Sequence, residues 1–148
     1  MRLPDPLLRY VLDAKPHQEA LRGALVQLSG FLLKRTINCG RPVDYMPAEL
    51  ARQRLEEAGD GLRSLGAPPA AAHHRLHLDG AASALEQGLA CAFSGADRDG
   101  DRLFHFLEEA MRHLKAVSRA TPGLELVDLG QACCAMHGAQ ARFEALAI

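Results

Sequence analysis

Four stretches of this 148-residue chain place leucine and alanine at alternating three- and four-residue steps, and almost none of it reads as a strand. Leu21, Leu25, Leu28 and Leu32 make the first stripe, and Leu55, Ala58, Leu62 and Leu65 the second. Leu78, Ala82, Leu85, Leu89 and Ala92 make the third, and Leu103, Leu107, Ala110, Leu114 and Val117 the fourth. Residues three and four apart lie on one face of a helix, so each stripe is an apolar surface that must be covered. Short connections between such helices favour antiparallel neighbours. The expected fold is therefore all-α: an antiparallel up-down four-helix bundle with a short N-terminal helical segment and a C-terminal tail of one or two short helices.

Composition points the same way. Alanine and leucine supply 49 residues, whereas valine, isoleucine and threonine together supply nine. The first two lose little side-chain freedom in a helix, and the β-branched residues are the usual material of strands. The length suits one domain over residues 1–148.

Punctuation sets the expected bounds. Pro4 and Pro6 open a short segment from Leu7 to Ala14, and Pro16 stands where a first helical residue would, since the N–H it lacks has no intrahelical partner there. Core helices are expected at about 16–35, 47–65, 69–93 and 101–120, with a tail over 124–148. Asp99 or Asp101 suits the cap of the fourth helix. The loop at 37–46 carries Ile37, Val43, Tyr45 and Met46 and is expected to pack down onto the bundle.

Charge and composition exclude several functions. Seventeen basic and eighteen acidic residues are well mixed, giving a net charge of −1 and no basic stripe to track a phosphate backbone, so nucleic acid is not an expected partner. No apolar run approaches the roughly 18 residues of a membrane span. The N-terminal stretch has no long apolar core of the secretory kind, and a cytoplasmic location is expected. Four cysteines, at Cys39, Cys91, Cys133 and Cys134, read as reduced thiols rather than a disulfide framework.

Histidines carry the sharpest chemical signal. His73, His74 and His77 open the third helix, and His105, Glu109 and His113 follow at four-residue steps on the fourth. An i, i+4 pair sets two imidazoles on one face, a spacing suited to a shared metal ion. Antiparallel pairing of helices three and four brings His77 within about one turn of His113. The candidate metal set is thus His73, His77, Glu109 and His113, with His74 as an alternate to His73, and a transition metal such as Zn as the ion. The competing reading is a solvated helix edge that needs no metal. A di-iron site is excluded, because none of the seven histidines has a glutamate three residues before it.

Other constellations are weaker. Asp97, Asp99, Asp101 and Glu108 fall at positions one, three, five and twelve of an EF-hand-like loop, but Arg102 occupies the position that needs glycine. Cys133, Cys134, Met136 and His137 gather soft ligands without paired C-x-x-C spacing. Glu56, Glu57 and Asp60 with Glu108 and Glu109 resemble the paired carboxylates that hold Mg²⁺ between two helices in helical nucleotide pyrophosphatases, which implies a Mg²⁺-dependent hydrolase, but the second pair has no aspartate three residues on. The segment Arg112 to Ser118 resembles the phospho-accepting histidine region of histidine phosphotransfer bundles, but lacks their spacer after the histidine and the following glycine. The expected function is therefore binding without catalysis, as an accessory, adaptor or regulatory protein with a protein partner or a second copy of itself. A metal- or small-ligand-binding bundle using the histidines of helices three and four is the alternative, and the hydrolase is a weaker one.

Overall fold

In the computed structural model, which describes residues 5–38, 41–98 and 100–120, the apolar stripes become the buried faces of four helices. These are α1 (Pro6–Ile37), α2 (Met46–Ser64), α3 (Ala72–Phe93) and α4 (Asp101–Ala120), with one 3₁₀ turn at Pro69–Ala71 leading into α3. There is no strand among the described residues. Pro4, Cys39, Asp99 and the expected tail at 124–148 lie outside them.

The main correction concerns α1. It was expected to begin at Pro16, yet one helix of 32 residues runs from Pro6 through Pro16 to Ile37. Proline inside a helix removes one backbone bond and crowds the preceding turn, at a cost of about 3 kcal/mol. That cost is offset by continuous burial: Tyr10 and Ala14 extend the inward face that continues with Leu21, Ala24, Leu28 and Phe31. The carbonyl deprived of a donor belongs to Leu12, whose side chain is half exposed, so water can reach that face. The start is fixed by Asp5, whose carboxylate accepts the Leu7 N–H at 2.9 Å.

All four helices pack around one core. α1 and α3 each touch the other three helices, whereas α2 and α4 do not touch. Leu21 and Leu28, Leu55 and Leu62, Leu78 and Leu85, and Leu103 and Leu114 are all buried, two from each helix in turn. Contacts between α3 and α4 run in opposite order along the two helices: Gly88 lies against Leu103, and His77 lies against His113. Arg75 of α3 donates to the carbonyls of Leu62 and Leu65 at the end of α2, and the Leu62 carbonyl also accepts the Leu65 N–H.

The turn into α4 is held by a residue that the sequence placed in a different role. Asp97, not Asp101, satisfies the helix start: its buried carboxylate accepts the N–H groups of Arg102 (3.3 Å) and Leu103 (3.1 Å). Gly100 makes this possible with φ of 74°, in the left-handed region that glycine enters without strain. Asp97→Ala is expected to cost about 1–2 kcal/mol by urea denaturation. A loss indistinguishable from that of an exposed Asp→Ala control on α2 would refute the capping role.

The 37–46 connection packs down only in part. Tyr45 is stacked on Phe93 (centroids 5.6 Å apart, planes at 10°) and leans on Phe31 at 5.6 Å. Ile37, Val43 and Met46 remain exposed, Ile37 and Met46 by 70% and 62%.

Candidate functional site

The histidine edge assembles where α3 and α4 meet. His73 and His77, one turn apart on α3, hold their rings edge to face with Nε2 atoms 3.2 Å apart. The other nitrogen of His77, Nδ1, stands 3.0 Å from Nδ1 of His113 on α4. His77 is therefore the middle member of a chain of three imidazoles, and it is buried, while His73 and His113 are half-buried on either side.

Gly80 provides the room for this meeting. A β-carbon on Gly80 would stand 2.6–2.9 Å from three atoms of the His113 ring, so any side chain there displaces the imidazole. A mid-helix glycine costs about 1 kcal/mol relative to alanine, and here it lets the fourth helix bring a ring against the third.

His74 goes elsewhere. The next position on a helix is turned by about 100°, and this rotation carries its side chain into the core, where it is 1% exposed. Its Nδ1 lies 2.8 Å from the Tyr10 hydroxyl of α1. Burial, and then the neighbouring His77, push the His74 pKa down from 6.5 to about 4. Burial pushes Tyr10 up to about 12, with Arg75 opposing the rise and Asp79 adding to it. Both members of the pair are uncharged at neutral pH, which is the state a desolvated hydrogen bond favours. The Tyr10 partner was not anticipated; the only sequence signal was that Tyr10 and Ala14 continue the inward stripe of α1.

The four expected metal ligands do not converge. His73, His77 and His113 come together, but as a chain through both nitrogens of His77, and Glu109 forms no hydrogen bond or ion pair among the described residues. Among those residues, no three His, Cys, Asp or Glu side chains are disposed to hold one ion. The register explains this. With His77 level with His113, His73 lies about one turn (~5–6 Å) to one side of that level and Glu109 about one turn to the other.

The remaining constellations lose their geometry. Asp97 is committed to capping and residues from Asp101 onward are helix, so the calcium-type loop is not formed. The carboxylates of α2 and α4 cannot grip one Mg²⁺, because those helices do not touch. Glu56 and Asp60 instead pair with Arg52 and Arg63 on their own helix. His105 is exposed, with its ring against Phe106. His113, the residue of the phosphotransfer-like segment, is turned toward His77 in the helix seam. Cys91 is buried and unpaired, and Cys133, Cys134, Met136 and His137 lie outside the described residues. No helix among the described residues is long and apolar enough to cross a membrane. Comparison with protein-family models, with curated proteins and with solved structures finds no match to this chain.

Proposed function

We propose that residues 1–148 form one domain, an antiparallel up-down four-helix bundle, which acts by binding a protein partner or a second copy of itself and not by catalysis. The opposed order of contacts along α3 and α4 supports the bundle topology. A cytoplasmic setting suits the buried, unpaired thiol of Cys91. The observation that carries the binding role is the aromatic and aliphatic group around the α1–α2 connection. Tyr45 and Phe93 stack while still 45% and 44% exposed, and Ile37, Val43 and Met46, from the same connection as Tyr45, are exposed as well. Aromatic residues and methionine are the types enriched where protein surfaces meet, and grouped exposure of this kind is uncommon on surfaces that stay in water.

Ile37→Asp and Met46→Asp test this without touching the core, since both side chains are mostly exposed. Sedimentation equilibrium at tens of micromolar is expected to show self-association that each substitution weakens by roughly tenfold or more. A monomeric wild-type chain that also forms no cross-link to any protein through a photoreactive group at position 46 would sink the reading.

A second reading is favoured by the imidazole spacing: a metal- or small-ligand-binding bundle using the histidines of α3 and α4. The 3.2 Å separation of the His73 and His77 Nε2 atoms is its support.

A further inference from the structure

The chain of three imidazoles assigns unequal roles to its members. A neutral imidazole carries its proton on one nitrogen and a lone pair on the other. Both nitrogens of His77 face another imidazole nitrogen, so the position of one proton orders the whole chain. When Nδ1 of His77 donates to Nδ1 of His113, the lone pair of His77 is on Nε2, and it is directed toward His73. Two imidazole nitrogens bound at ~2.0–2.1 Å to one tetrahedral or square ion stand roughly 2.9–3.4 Å apart. The observed 3.2 Å between the Nε2 atoms of His73 and His77 falls inside that span.

We propose that His73 and His77 are the two protein ligands, each through Nε2, of a divalent transition-metal ion, and that His113 is not a ligand but the partner that fixes the tautomer of His77. This inference rests on the ligand-binding reading of the α3–α4 edge and narrows its ligand set from four residues to two. Metal-bound histidines commonly hold their second ring nitrogen in a hydrogen bond, which orients the ring and raises its basicity. That partner is usually a carboxylate or a carbonyl, and here it is an imidazole. The ion takes the place of the hydrogen that His73 Nε2 shares with His77 Nε2, and by exchange with water that proton passes to Nδ1 of His73, so that both rings bind as neutral imidazoles. His73 is half-buried, so water can complete the coordination on its side. Two imidazoles with open positions suit Cu²⁺ first, then Ni²⁺ and Zn²⁺, in the general order of divalent affinity.

The experiment is a titration of the tag-free full chain with each of these ions alone, followed by calorimetry and, for Cu²⁺, by electron paramagnetic resonance. One ion per chain is expected, lost in His73→Ala and in His77→Ala, and unchanged in His105→Ala. His113→Leu is expected to keep the stoichiometry and the two-nitrogen Cu²⁺ spectrum while binding roughly 10–100-fold more weakly. Gly80→Ala, which pushes the His113 ring aside while favouring the helix, is expected to weaken binding in the same direction without loss of fold. If His113→Leu abolishes binding, or removes a nitrogen from the spectrum, His113 is a direct ligand and the assignment fails while the ligand-binding reading stands. Binding that survives His73→Ala overturns the assignment as well, and that variant changes only a half-buried rim residue. A wild-type chain that takes up none of the three ions removes both the assignment and the metal reading.

Discussion

Leu85→Ala is expected to destabilise the protein by about 2–5 kcal/mol, the largest effect of any single substitution considered. Leu85 is fully buried on α3, one of the two helices that touch all three others. Removing its side chain deletes apolar contact on several sides at once, and a cavity inside a four-helix seam collapses poorly because each wall is a rigid helix. Leu76 provides the control, since it lies on the same helix but is 62% exposed. Leu76→Ala should stay within about 0.5 kcal/mol of wild type. Urea denaturation of both variants checks the pair, with the midpoint of Leu85→Ala shifted and its slope unchanged. Equal losses at the two positions would mean that the inward face of α3 has been misplaced.

Acidification of the metal-free protein should produce the second large effect. His74 titrates at 6.5 when unfolded and at about 4 in the core, so the unfolded chain binds the proton more readily. The stability tied to the neutral ring is complete above pH 6.5 and is lost as the pH falls from there toward 4. The difference in pKa corresponds to about 3 kcal/mol. Carboxylates also titrate at the lower end of this range, so the informative quantity is a comparison. Urea midpoints at pH 7.5, 5.5 and 4.0, taken with a chelator present, should fall more steeply for wild type than for Tyr10→Phe/His74→Leu. That double variant removes the buried imidazole together with the hydroxyl that it partners. Parallel slopes for the two proteins would show that His74 is not held neutral by burial.

Both effects trace back to how side chains face inward, and this was legible to different depths along the chain. Every residue of the four leucine and alanine stripes is buried or half-buried, because a helix repeats its faces every three to four residues whatever its neighbours are. Pro16 departs from its local signal for the opposite reason. Its local preference is for a helix start, and only the burial of Tyr10 and Ala14 against the rest of the core holds the helix together across it. Asp97 stands with its acidic neighbours at calcium-loop spacing in the sequence. Its role as a cap depends on the positive φ of Gly100 and on the buried turn around it, and sequence spacing contains neither.

The histidine edge divides in the same way. His73 and His77 were paired by their four-residue spacing alone, and the meeting of His77 with His113 followed in outline from short connections between helices. Which nitrogen faces which neighbour did not follow, nor did the exclusion of Glu109. A shift of one turn between α3 and α4 moves a side chain by about 5–6 Å, enough to make or break any ligand set that spans the two helices.

What the sequence determined by itself was the all-helical class and the face that each helix buries, because helical periodicity is a property of the local chain. The tertiary structure decided the rest. It carried α1 through Pro16, separated α2 from α4, sent His74 into the core beside Tyr10, and set His77 level with His113 over Gly80. These outcomes depend on register and on close approach between helices, and those are fixed by the fit of side chains from distant parts of the chain.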